Sequence, residues 1–108
     1  MANPWRGEVT LVIDGEARVL KLTLGALAEL EEALGEDTLV ALVERFEAGR
    51  FSSRDVLRLI VAGLRGGGWQ GTGKDLVQSE IAGGPMGAAK AAAELLARAF
   101  MVPDEAPS

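Results

Sequence analysis

The spacing of apolar residues in this chain changes once, at Thr23, and that change fixes most of what it can fold into. Before it, apolar residues alternate: Val9, Leu11 and Ile13, then Leu20 and Leu22, with Asp14-Gly15 between the two runs. Alternation with a period of two marks strands with one buried face, and an Asp-Gly pair between such runs is turn chemistry for a β-hairpin. The connecting loop must have even length, because only then do Val9, Leu11 and Ile13 share a face with Leu20 and Leu22. A lone hairpin is marginal in water, so that face has to pack on helices.

After Thr23 the spacing is helical. Leu27, Leu30 and Leu34 lie on one face, with Thr23 as N-cap and Gly35 as the left-handed stop. A second helix is expected from Asp37 as cap to Gly49, with Leu39, Leu42, Val43 and Phe46 inward and Glu44, Arg45 and Glu47 outward. Ser52 or Ser53 caps a third helix, whose Val56, Leu57, Leu59, Ile60, Val61 and Leu64 leave little polar surface beyond Arg54, Asp55 and Arg58. That helix should be central and the most buried. Five glycines in the eight residues 66–73 rule out regular structure there and predict a long loop. A short helix over about 74–82 follows, with Leu76, Val77 and Ile81 apolar, before Gly83-Gly84-Pro85 breaks the chain. The last helix, roughly 86–101, is alanine-rich, with Ala89, Ala92, Ala93, Leu96 and Phe100 as its stripe and Lys90, Glu94 and Arg98 opposite. The expected fold is α+β: an N-terminal β-hairpin packed on a bundle of four to five helices, a single domain over 1–101 with a loose polar tail at 102–108.

Composition narrows the function. The chain has neither cysteine nor histidine, which removes disulfides, thiolate or imidazole metal ligands, the cysteine nucleophile and the commonest general base. Catalysis is therefore not expected, and neither is a cofactor. A net charge of −5 opposes phosphate backbones unless the basic residues gather on one face, so nucleic acid is not an expected partner. No signal-like segment opens the chain and no apolar run approaches the roughly 20 residues that span a bilayer, so the expected place is the cytoplasm, with no membrane contact.

Three features invite a chemical reading. Gly68-Trp69-Gln70-Gly71-Thr72-Gly73-Lys74 matches the start of a phosphate-binding loop, but Asp75 stands where the motif needs a hydroxyl for Mg²⁺, and the segment follows a helix and not a strand. Glu29, Glu31, Glu32, Glu36 and Asp37 could hold a divalent cation, yet on the helical pattern they form a solvated face. Trp69, isolated among glycines, must find a pocket made elsewhere: either it plugs this domain's own core, the favoured reading, or it anchors a partner. Trp5 and Phe51 pose the same choice. The last helix also has two readings, a core helix or one that offers Leu95, Leu96, Phe100 and Met101 to another chain.

The hairpin leading into Leu24-Gly25-Ala26-Leu27-Ala28-Glu29-Leu30-Glu31, then Ala62-Gly63-Leu64-Arg65-Gly66-Gly67-Gly68-Trp69, then the run Ala88 to Phe100, together resemble the small tail-assembly chaperone-like proteins of gene transfer agent clusters and related prophages, encoded between the tail tube and tape-measure genes. The resemblance spans nearly the whole chain. It implies a protein that binds the tape-measure protein and keeps its long hydrophobic helices soluble until tail-tube subunits polymerise around it. The tail tube protein is a second candidate partner, and homo-oligomerisation is open. No catalytic residue comes with the resemblance. The surface expected to bind is Trp69, Leu95, Leu96, Phe100 and Met101. The alternative is a structural component retained in the tail, adding its hairpin to a neighbouring subunit's sheet.

Overall fold

The computed structural model describes residues 7–35 and 37–100; the expectations placed on Trp5, Glu36, Met101 and the tail 102–108 fall outside the described residues. The architecture is α+β as expected: strands β1 (Glu8–Ile13) and β2 (Glu16–Lys21) form an antiparallel hairpin, followed by helices α1 (Leu24–Leu34), α2 (Leu39–Glu47), α3 (Ser53–Gly66), α4 (Gly73–Val77) and α5 (Gly84–Ala99).

The hairpin loop is the two residues Asp14-Gly15, both at positive φ (52° and 80°), as a type I′ turn demands. Its even length pairs Val9 with Leu20 and puts Leu11 and Ile13 on that same buried face. Thr23 caps α1, its hydroxyl accepting from the Ala26 N–H at 3.0 Å, and Gly35 stops the helix at φ 66°. The cap of α2 is Thr38 and not Asp37. The Thr38 hydroxyl reaches the Ala41 N–H at 3.0 Å, while the Asp37 carboxylate accepts from the Thr38 N–H at 2.9 Å and forms an ion pair with Arg45. Ser52 opens α3 with a reciprocal capping box: its hydroxyl accepts from the Asp55 N–H at 3.1 Å, and the Asp55 carboxylate accepts from the Ser52 N–H at 2.9 Å.

As expected, α3 is central. It packs on β2, α1, α4 and α5, with Leu59, Ile60 and Leu64 fully buried. The crossing with α5 and β2 falls on Gly63, where a Cβ would stand 2.7 Å from Leu95 Cδ1 and 3.1 Å from Leu20 Cβ. A side chain there would force Leu95 and Leu20 to shift, so glycine lets the three elements meet closely. Asp55, expected on the polar face, is buried at 4% exposure. Among the described residues no helix is long and apolar enough to cross a membrane.

The fourth helix is shorter than its pattern predicts, ending at Val77. Residues 78–82 leave the helix to run beside the tip of β1: Ile81 bridges Ile13, the Asp14 N–H donates to the Glu80 carbonyl at 2.7 Å, and the Ala82 N–H donates to the Val12 carbonyl at 3.0 Å. The Asp14 carboxylate completes the strap by accepting from the Glu80 N–H at 2.8 Å. These bonds, made across the fold, outweigh one further turn of a short helix. The last helix also presents a different face from the expected one. Ala88, Ala91, Ala92, Leu95 and Leu96 point inward, while Ala93 is exposed. Alanine on almost every side of a helix gives little amphipathic contrast from which to read a face.

Candidate functional site

The residues expected to bind a partner do not share one surface. Leu95 (0% exposed) and Leu96 pack in the core and are unavailable to another chain in this fold, because the inward face of α5 is the one that carries them. Phe100, at the C-cap of α5, stays half exposed at 50%. Met101 lies outside the described residues. Trp69 is half-buried against the core, its backbone N–H donating to the Leu64 carbonyl at 2.9 Å and its ring seated over Gly71, where a Cβ would come within 2.1 Å of Trp69 Cζ2. Its indole therefore closes this domain's own flank, beside the Arg65–Glu29 ion pair at 2.8 Å. The Arg65 hydrogen bond holds the Glu29 carboxyl below the usual carboxylate range. We expect Trp69→Ala to lower stability by about 2 kcal/mol, roughly half the loss for a fully buried tryptophan. Thermal unfolding checks this, and an unchanged midpoint would contradict the seated ring.

The phosphate-loop resemblance is also resolved locally. The Asp75 carboxylate accepts from the Thr72 N–H at 2.9 Å and the Thr72 hydroxyl at 3.1 Å, so the start of α4 is capped by the chain's own anion. Of the clustered carboxylates, Glu29 is tied to Arg65 and Asp37 to Arg45.

An open apolar groove lies elsewhere. Val56, Leu57 and Ile60 of α3 form one wall and Pro85, Ala88 and Ala89 of α5 the other, with Leu76, Val77 and Ile81 across the end; the space is about 590 Å³. The groove exists because α5 presents alanines where larger side chains would fill it. Gly87 lets the strap approach α5 closely, since a Cβ there would lie 2.3 Å from the Ala82 carbonyl oxygen. Phe51 forms a rim, stacked on Phe46 with ring centroids 4.4 Å apart, so its ring packs within this domain while also lining the groove. Val77, which lines the groove from α4, is 67% exposed, and Met86 in the first turn of α5 is 82% exposed. Ser53, Ser79 and Arg54 are its polar lining, and no carboxylate lines it. The sequence has no motif for this groove, because it is a space that Ala88 and Ala89 leave opposite α3.

Both edges of the hairpin are engaged. On β1 the Glu8 carbonyl accepts from the Arg98 guanidinium and the Val12 carbonyl from Ala82. On β2 the Val19 and Lys21 carbonyls abut Gly67 and Gly66, where added Cβ atoms would lie 2.0 and 1.9 Å from those oxygens.

Fold and groove together define a small α+β domain with a preformed apolar cleft, at about 590 Å³ within the usual size for such sites. A family model described as phage tail tube protein, GTA-gp10, matches residues 6–102, and the chain belongs to that family. It is thus a protein related to gene transfer agents and phage tails. The expected resemblance holds at that level; the family's description speaks of the tail tube and not of a chaperone. Searches of curated proteins and of solved structures returned no match.

Proposed function

We propose that this chain is an assembly accessory of a gene transfer agent or phage-like tail, and that it binds the tape-measure protein through the groove between α3 and α5 without doing chemistry. The observation that carries this is the groove itself. An otherwise acidic domain leaves a preformed apolar cleft open, lined in part by exposed Val77, and an exposed apolar patch of this kind fits a protein partner better than solvent. A net charge of −5 would help keep a complex with hydrophobic helices soluble. The non-catalytic part rests on the lack of histidine and cysteine, and on the most strongly engaged charged groups, Arg45 and Asp55, being committed to each other at 2.9 Å.

Co-expression with the neighbouring tape-measure protein, followed by affinity capture on this chain, tests the reading. The tape measure should stay soluble and co-purify. If it is insoluble and uncaptured, the reading fails.

The family's description favours a second reading, in which the chain remains in the finished tail as a structural component. Protein analysis of purified particles separates the two: near-stoichiometric copies in the tail would support retention. In that reading, addition of the hairpin to a neighbouring sheet would have to displace Arg98 and Ala82 from β1 or the Gly66-Gly67 backbone from β2.

A further inference from the structure

We infer that the α3–α5 groove recognises an amphipathic helix whose apolar stripe is flanked by carboxylates, and that Arg54 is the residue that reads those carboxylates. The inference rests on the groove being the partner site proposed above and adds the chemistry of the partner.

The distribution of arginines points this way. Among the described residues Arg18, Arg45, Arg65 and Arg98 are ion-paired, whereas Arg50, Arg54 and Arg58 have no carboxylate partner. These three follow one another at intervals of four, Arg50 in the connection before α3 and Arg54 and Arg58 within its first two turns. In a chain with 16 acidic and 11 basic residues, three successive unpaired cations are a local reversal of charge. Arg54 lines the apolar groove directly, Arg50 precedes the rim residue Phe51, and Arg58 lines the adjoining cleft between α1 and α3.

The position of Arg54 in its helix adds a second argument. It is the second residue of α3, where the helix dipole favours anions and a cation is disfavoured by about 0.3–1 kcal/mol. Stability gives no reason for an unpaired arginine there, whereas an incoming carboxylate would gain from both the guanidinium and the helix N-terminus.

The groove wall from Val56 to Ile60 and the rim at Phe51 span about two and a half helical turns, enough for apolar anchors at i, i+3 or i+4, and i+7 of a partner helix. The chain's own acidic amphipathic helix, α1, cannot be that occupant in a second copy, because its Leu30 and Leu34 are buried in the core. A nucleic acid fits less well, since Arg54 borders an apolar floor and not a polar track for phosphates.

The test titrates overlapping peptides of about 20 residues, tiling the tape-measure protein, against the full chain as wild type, Arg54→Glu and Ala89→Phe. The peptides that bind should be amphipathic with flanking acidic residues, and their affinity should fall with salt. Arg54→Glu should weaken them by about tenfold, and reversing the flanking acidic residues to lysine should restore binding to that variant. Ala89→Phe, which fills the groove, should weaken them regardless of salt. Arg54→Glu replaces a dipole-disfavoured residue by a favoured one, so its melting point should be equal or higher, and lost binding cannot be ascribed to unfolding. The inference is overturned if the bound peptides carry basic flanks, if neither variant changes affinity, or if the chain instead retards duplex DNA or self-associates through Arg54. Capture of the intact tape measure with unaltered binding by both variants would remove this inference alone. Failure to capture it at all would remove the reading beneath it.

Discussion

Gly66→Ala is expected to destabilise the protein by about 3 kcal/mol, although the same change at an open helical position stabilises. A Cβ at Gly66 would lie 1.9 Å from the Lys21 carbonyl oxygen, and one at Gly67 2.0 Å from that of Val19. Both obstacles are backbone, and β2 is held by its ladder with β1, so no flexible side chain can move aside. The end of α3 would have to lift off the strand, opening the contact between the central helix and the hairpin. Gly25 in α1 is the control. A Cβ there meets nothing nearer than 3.9 Å, so Gly25→Ala should raise stability by about 0.5–1 kcal/mol. Thermal unfolding compares the two: a midpoint about 10–20 °C lower for Gly66→Ala and slightly higher for Gly25→Ala. Equal midpoints for Gly66→Ala and wild type would mean that α3 does not seat on β2 as described.

The same glycines mark how far a sequence can be read. Local chemistry was legible wherever it was self-contained. Asp14-Gly15 announced a tight turn of even length, Thr23 announced one cap and the pair Ser52-Ser53 another, and the parity of the hairpin loop assigned the buried face correctly. The continuous apolar run Leu59-Ile60-Val61 announced the central helix. Features made by elements distant in the chain were not legible. Ile81 fits a helical spacing with Leu76 and Val77, yet it pairs with Ile13 because Asp14, 66 residues before Glu80, binds the strap. Leu95 and Leu96 were open to either face because alanines surround them, and they fell to the core. For the same reason the groove itself was hidden. It is a space left by Ala88 and Ala89 opposite Val56 and Ile60, and a vacancy between two helices has no motif.

Asp55→Ala is expected to cost about 3 kcal/mol at neutral pH, the lower end for one partner of a buried ion pair because Arg45 keeps some solvent contact. The Arg45 guanidinium holds Asp55 with two bonds of 2.9 Å, from Nε to Oδ2 and from Nη2 to Oδ1, and binds Asp37 at 2.8 Å through Nη1. This planar, two-sided clamp fastens α2 to the start of α3, and lysine could not reproduce it. The Asp55 carboxylate also caps α3 through the Ser52 N–H, so its removal frees two elements at once. Burial alone would raise its pKa, but the Arg45 and Ser52 donors outweigh burial and hold it below the ordinary carboxylate range. A folded pKa below the unfolded value of about 3.9 means stability that is fully present above that pH and lost as pH falls through the folded value. The gap between wild type and Asp55→Asn, in urea unfolding, should therefore be wide at pH 7 and shrink as the pH falls below about 4. A gap that stays constant with pH would show that the charge of Asp55 contributes nothing and only its shape matters. Because Phe46 of α2 stacks on Phe51 at the groove rim, the clamp also fixes one edge of the proposed partner site, and Asp55→Asn should weaken partner capture even where the protein remains folded.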